Sequence, residues 1–214
     1  MSRNDKDARI YHSTKKMNSR YKKYLDGVDV GRYRLGWSGQ YIQYGNNLAA
    51  PRKPELFQGE RILVRQIPSK PPYSVNGSYV LEHCINDLNS MIVIKQQNDY
   101  HLKYILAVIN SKLISYWFNM KYGKLQRKLF PQFKVNELAQ FPICKIDFLN
   151  KKNKQQHDYL VELVDQMLTA QENLRESASE LDRRRISIID EQIDKAVYEL
   201  YGLDPTEIRI VEGK

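Results

Sequence analysis

LVELVDQMLTAQENLRESASEL, residues 160–181, places Leu160, Val164, Met167, Gln171, Leu174, Ala178 and Leu181 at alternating steps of four and three. That period lines the seven residues along one helical stripe with coiled-coil spacing. Ile186, Ile189, Ile193, Ala196 and Leu200 resume the pattern in a shifted frame, because the step from Leu181 to Ile186 is five residues. A seam that slips cannot stay continuous, and Ser177 followed by Glu180 offers a capping box at the break. The spacing therefore predicts two antiparallel helices with a turn near residues 177–179, each about 20–25 residues and roughly 30–35 Å long. One unbroken helix over residues 154–201 is the competing reading, against which stands the polar stretch 182–185. Gly202 fits the left-handed position after the second helix, and Asp204-Pro205 with Glu207 opens a short last one.

Upstream the character changes. Short β-like runs at 41–44, 62–67, 73–75, 79–81 and 91–94 are punctuated by Gly, Pro and Asn. Asn76-Gly77 between two such runs predicts a two-residue type I′ hairpin, whose central positions both need φ > 0. Leu102, Ile105, Leu106, Ile109, Leu113, Trp117 and Met120 recur at three and four, predicting one helix over about 99–121 with Asp99 as its N-cap. Residues 1–23 are dense in Lys and Arg, contain Ile10 as a lone good aliphatic residue and show no period, so they read as a flexible leader. The expected fold class is α+β, an irregular α/β body with small sheets, plus a C-terminal antiparallel helical hairpin. Its boundaries are 1–23 for the leader, 24–150 for the body, and 151–214 for the hairpin and short last helix.

The 214 residues are 42% apolar, enough for a real core. No apolar run reaches the length of a membrane span, and the polar N-terminus lacks a secretory h-region, which predicts a cytoplasmic protein with no membrane partner. Cys84 and Cys144 have neither CxxC spacing nor neighbouring histidine pairs, so they read as small buried hydrophobes. The net charge of +9 is segregated: residues 151–214 hold 10 Lys/Arg against 14 Asp/Glu, leaving 24 against 11 for residues 1–150. Twelve of the fifteen tyrosines lie in that basic part. Cations interleaved with planar hydrogen-bonding rings suit a partner lined with phosphates and base edges, although a merely basic soluble surface has the same composition.

Catalytic signatures are weak. Pro71-Pro72-Tyr73 is similar to the signature of amino-methyltransferases, in which an acceptor side chain before the prolines bonds the target amino group. Here that position is Lys70, which has donors only, so the prolines read as an extended loop. No G-x-G cluster offers an S-adenosylmethionine turn. Glu55, Glu60 and Glu82 form no convincing carboxylate-plus-lysine nuclease core. His12, His83, His101 and His157 fall in different elements and read as ordinary structural histidines, and no G-x-S-x-G elbow is present. Neither catalytic nor metal-ligating residues are assigned.

Three clusters carry the nucleic-acid reading. Arg32, Tyr33, Arg34, Trp37 and Tyr41 put two guanidiniums and three amphipathic rings within ten residues, able to grip phosphate and reach base edges. Arg52, Lys53 and Arg65 flank the next strand. Lys121, Lys124, Gln126, Arg127 and Lys128 supply the third, in which Gln126 offers adenine a donor and an acceptor together, and Lys112, off the centre of the helix stripe, is a further DNA-binding candidate. The reading requires these loops to converge on one concave, helix-free saddle carrying Arg32, Arg65 and Arg127.

Several words of the sequence go further. Leu25-Asp26-Gly27-Val28-Asp29-Val30-Gly31-Arg32-Tyr33, Ile109-Asn110-Ser111-Lys112-Leu113, Phe141-Pro142-Ile143 and Val197-Tyr198-Glu199-Leu200-Tyr201-Gly202-Leu203, in that order, resemble the TaqI-like C-terminal specificity domain of adenine-N6 DNA methyltransferases and type IIG restriction-modification enzymes. The resemblance covers about residues 24–211. It implies that residues 24–150 form a DNA target-recognition domain, a specificity domain that clamps duplex DNA and sets which sequence the parent enzyme methylates, and in some parents cleaves. It further implies that S-adenosylmethionine, and in a nuclease parent Mg, belong to a catalytic part absent from this chain, reached in cis or in trans. The abrupt charged start at Met1 reads as a domain edge, with a stand-alone gene as the alternative. The acidic hairpin is expected to dock on that methyltransferase or nuclease part, or on a second specificity unit, and self-association through it stays open. Two rivals remain: an interaction adaptor built on the hairpin, and a small self-contained DNA-modifying enzyme.

Overall fold

The computed structural model of the chain describes residues 9–95, 99–123, 132 and 134–214. Two small sheets form the body. The first contains β1 (His12–Ser13), β2 (Tyr21–Leu25), β3 (Tyr41–Gln43) and β6 (Ile85–Asn86) in the order β1-β3-β2-β6, with β3 antiparallel to both neighbours and β2 parallel to β6. The second contains β4 (Arg61–Arg65), β5 (Gly77–Val80) and β7 (Ser90–Ile94), antiparallel in the order β5-β4-β7. Alternation along β4 separates its two faces. Ile62 and Val64 enter the large core beneath the helices, whereas Leu63 joins Leu25, Val30, Val80 and Cys84 in a second cluster on the opposite side.

The leader expectation is corrected for residues 9–23. Tyr21, Lys22 and Lys23 pair with Gln43, Ile42 and Tyr41, and Tyr24 continues the strand against Ile85. The partners lie about 20 and 60 residues away, so no local period announces the strand.

The Asn76-Gly77 hairpin is also corrected. Neither residue has positive φ, and Gly77 opens β5 opposite Val64. Glycine is needed there for approach, not for its backbone angle: a Cβ would fall 2.9 Å from Leu106 Cδ1 and 3.1 Å from Asn110 Oδ1. The Asn110 amide fills that gap, accepting from Gly77 N at 2.7 Å and donating to Gly77 O at 3.0 Å, as a strand would.

This use of Asn110 divides the helix expected over 99–121 into α1 (Leu102–Ile109) and α2 (Lys112–Tyr122). His101, rather than Asp99, caps α1 by accepting from Lys103 N at 3.1 Å. Ser111 is extended and caps α2 by accepting from Ile114 N at 3.2 Å. The first helix lies on the second sheet and the second packs against the helices that follow, and the two join one core cluster in which Leu106 and Phe118 are fully buried.

A short α3 (Val135–Leu138) leads toward α4 (Lys151–Ser177), which is antiparallel to α5 (Glu180–Tyr201) in the expected hairpin. Ala178 takes the left-handed turn position at φ 52°, and the capping hydroxyl is Ser179, accepting from Leu181 N at 3.1 Å. Ser177 Oγ reaches Asp182 at 3.1 Å instead. Gly202 ends α5 at φ 68°, and α6 (Pro205–Glu212) opens on the reciprocal Asp204–Glu207 capping box.

The hairpin is not a separate module. Leu160, Val164 and Met167 of α4 and Ile189, Ile193 and Val197 of α5 lie in the same core cluster as Ile62, Leu106 and Phe118. Only its outer part projects: residues 171–188 contain no buried residue, and Leu181 is 76% exposed. Among the described residues, no helix is long and apolar enough to cross a membrane.

Burial of six such side chains is worth about 9–18 kcal/mol, which matches or exceeds the net stability of a domain. A chain ending at residue 150 is therefore expected to lose cooperative folding. Urea unfolding followed by circular dichroism checks it: a sigmoidal transition in the truncated chain contradicts the shared core.

Candidate nucleic-acid interface

The two arginine-bearing words of the body serve different ends. Arg32 is turned inward beneath the hairpin, where Nε donates to Asn110 O at 2.8 Å, Nη1 pairs with Asp190 at 2.7 Å, and the guanidinium lies 3.7 Å from the centre of the Tyr73 ring. Tyr73 in turn donates to Asp194 Oδ2 at 2.7 Å, while Lys112 N donates to Asp194 Oδ1 at 2.9 Å at the start of α2. Lys112 Nζ lies 3.4 Å from Asp194 and 3.9 Å from Glu212. Tyr33 is 2% exposed, adopts φ 56° and donates its backbone N–H to Gly77 O at 2.8 Å. Arg32 and Lys112 thus fasten the body to the hairpin, with side chains only 13% and 19% exposed, and Tyr33 is buried beside them. Tyr73 of the Pro-Pro-Tyr word joins the same fastening through Asp194. Burial drives the Asp190 carboxyl above the usual aspartate range, with Arg32 pulling it back and Asp194 adding to the rise. Burial alone would lower the Arg32 guanidinium, but Tyr33, Asp190 and Tyr73 together raise it, so it stays charged.

A second group gathers around the turn after β2. Asp26 pairs with Arg9 through two contacts of 3.2 Å, and Arg52 Nη2 donates to Asp87 O at 3.4 Å. Arg9, Asp26, Val28, Arg65, Asp87 and Asn89 line a cleft of about 300 Å³. Lys53 is exposed beside it in sequence. Arg9 is a member that sequence reasoning missed, having assigned it to the leader.

The third group lies across the first sheet. Lys23, opposite Tyr41 in register, places Nζ 5.0 Å from the Trp37 ring centre and 2.7 Å from Glu82, and Trp37 meets Tyr41 edge-on at 5.2 Å. Trp37 remains 42% exposed although Nε1 donates to Gln40 O at 2.9 Å. Lys15, Lys16 and Arg20 are exposed on the connection between β1 and β2, and Lys22 is half-buried within β2. These cations were also missed. Their density in the N-terminal sequence was the available signal, but the pairing that places them beside Trp37 and Tyr41 was not. Arg34 is exposed and lines a cleft of about 230 Å³ with Tyr79, Leu81, Gln171 and Arg175, the last paired with Glu172. Lys121 is exposed 4.7 Å from the Trp117 ring centre. Lys124, Gln126, Arg127 and Lys128 lie outside the described residues.

The TaqI-like C-terminal specificity domain is the family whose model matches, over residues 22–143. The chain belongs to that family. It is also 26% identical over 194 residues to a Methanocaldococcus jannaschii protein named "Putative type II restriction enzyme and methyltransferase RM.MjaORFECS2P", an alignment covering 90% of this chain and 15% of that protein. The specificity-domain match begins within β2 and ends after α3, so it takes in the second sheet and all of the first except β1 and the start of β2, and leaves out the hairpin. Its start at residue 22 agrees with the structural role of β2 and not with a leader reaching residue 23.

On this specificity domain the single saddle expected to hold Arg32 and Arg65 does not form. Arg32 lies among the helices, on the side of Ile62 and Val64, whereas Arg65 alternates with Val64 and faces the opposite side with Leu63. The exposed groups that remain sit toward the two ends of β4, about 13 Å apart over four strand steps. Arg34, Leu81 and Glu82 lie near the Arg61 end, and Arg9 and Asn89 near the Arg65 end. Among the described residues, no group of three or more His, Cys, Asp or Glu could hold a metal ion.

Removing Arg32 leaves Asp190 without its paired cation and beside the charge of Asp194, which keeps Lys112 at 3.4 Å. Arg32→Ala is expected to destabilise the domain by about 3–5 kcal/mol near neutral pH. With its folded-state value raised, Asp190 binds a proton more readily folded than unfolded, so its burial penalty grows as pH rises from the ordinary value of 3.8 toward the raised one. The loss should therefore shrink toward acid pH, where the carboxyl is neutral in both states. Denaturation of parent and variant at several pH values reads this directly, and a pH-independent difference counts against the assigned network.

Proposed function

We propose that this chain acts as the DNA sequence-recognition domain of a restriction-modification enzyme. The observation that carries the proposal is the specificity-domain match across the second sheet and most of the first, residues 22–143. The body it covers supplies what duplex binding requires: exposed cations from separate loops, with Trp37 and Tyr41 among them. In this reading the parent methylates adenine N6, with or without cleavage, in the cytoplasm. S-adenosylmethionine, and Mg for a nuclease parent, would bind the catalytic part, reached in cis or in trans. The outer hairpin would be its dock, because residues 171–188 contain no buried residue and leave Leu181 and Ile188 76% and 57% exposed. Self-association through the same surface is the alternative use of that tip.

Five to eight phosphate contacts predict that the logarithm of the duplex association constant falls against the logarithm of salt concentration with a slope of about −4.5 to −7. Fluorescence anisotropy with a labelled duplex between low and physiological salt measures it. Binding that ignores salt removes these cations from the interface. Substituting Lys23 and Arg34 together by Ala should make the slope shallower by about two while leaving the melting temperature unchanged.

A further inference from the structure

The cleft at the Arg65 end of β4 contains donors and acceptors that the fold leaves unused. Arg65 is half-buried there, and its guanidinium has no hydrogen-bond or ion-pair partner among the described residues. Its nitrogens remain reachable from solvent, so the donor fork is available to a ligand that brings acceptors. The other polar groups are largely committed. Arg9 is spent on Asp26, and Asn89 donates its backbone N–H and its Nδ2 to the two carboxylate oxygens of Asp87, at 2.9 Å and 2.6 Å. What remains is the donor fork of Arg65 and the Oδ1 acceptor of Asn89, which has no donor among the described residues.

This pairing selects a ligand. A phosphate offers acceptors alone, would leave Asn89 Oδ1 unused, and would stand against the Asp26 and Asp87 carboxylates. A base edge offers both kinds of group: guanine O6 and N7 match an arginine fork, and an exocyclic amino group matches an amide oxygen. The volume of about 300 Å³ is at the small end for ligand pockets and suits an edge rather than a cofactor. The walls are held firmly, since a Cβ on Gly27 would fall 2.7 Å from Asn89 Cβ, so the turns at 26–29 and 87–89 press together. Their tips, Val28 and Leu88, are 73% and 63% exposed and form apolar lips able to lie on sugar or a thymine methyl.

We infer that Arg65 is a specificity-determining residue that reads one base pair of the target from this cleft, giving its donor fork to a guanine edge, with Asn89 accepting from a neighbouring amino group. The inference rests on the chain being a duplex-recognition domain. It is tested with the full chain and a duplex library of randomised centre, comparing the sequences selected by the parent, Arg65→Ala and Arg65→Lys, with melting curves as the folding control. Affinities for a selected and an unrelated duplex are then measured over a range of salt. Both variants should lose the preference at one base pair and bind the selected duplex about 10- to 100-fold more weakly. Binding of the unrelated duplex and the salt slope should not change. The inference is overturned if Arg65→Lys keeps the parent preference while Arg65→Ala weakens both duplexes equally and flattens the slope by about one, the behaviour of a phosphate contact. A parent chain that binds duplex but selects no preferred base at any position overturns it as well. A parent chain that binds no duplex at all overturns the recognition function itself, and the role of Arg65 with it.

Discussion

A guanidinium placed under two helices must be answered by carboxylate and carbonyl oxygens, and Arg32 obtains them from parts of the chain that have no other reason to meet. Asn110 O belongs to the break between α1 and α2, Asp190 to α5, and the Tyr73 ring to the loop after β4. Asp194, one turn beyond Asp190, receives Tyr73 and the first amide of α2. Because an unpaired buried charge is so unfavourable, these four segments hold one relative position. The sheet, the helical break and the hairpin therefore share a junction as well as a core.

That junction changes the meaning of the words that the chain has in common with its family. Leu25 and Val30 are buried between the sheets, Arg32 fastens the body to the hairpin with Tyr33 buried beside it, Asn110 substitutes for a strand on Gly77, and Ser111 caps α2. They build a frame. The exposed Trp37 and Arg34, the half-buried Lys23 and Arg65, and their neighbours are carried on turns and short strands around it. A domain organised this way can keep its scaffold while loops vary in what they touch, which suits recognition of one short sequence among many.

Charge is divided in the same manner. Two acidic residues of α5, Asp190 and Asp194, are used inward as the counter-ions of a basic body. The net −4 of residues 151–214 is thus partly consumed in holding the fold. Its outer part, residues 171–188, balances Arg175 and Arg183–185 against Glu172, Glu176, Glu180 and Asp182, and is neither strongly repelled by nor attracted to a polyanion. Apolar exposure at Leu181 and Ile188 is what distinguishes it.

The sequence by itself determined the elements whose causes are local. The four-and-three spacing and the slip after Leu181 specified the hairpin and its turn, Gly202 and the Asp204-Pro205 pair specified the last two boundaries, and the runs at 41–44, 62–67 and 91–94 located three strands, because periodicity, caps and left-handed glycines act within a few residues. The family resemblance was legible in the same way, as words in order. What tertiary structure alone decided depended on partners far along the chain: the strand made by Tyr21–Leu25, the use of Gly77 for close approach rather than for a turn, the helix broken so that Asn110 could reach it, and the inward direction of Arg32 as against the open cleft of Arg65. An arginine reads alike in sequence whether it meets a carboxylate of its own chain or a base of another molecule. Only the fold determines which oxygen comes within 3 Å.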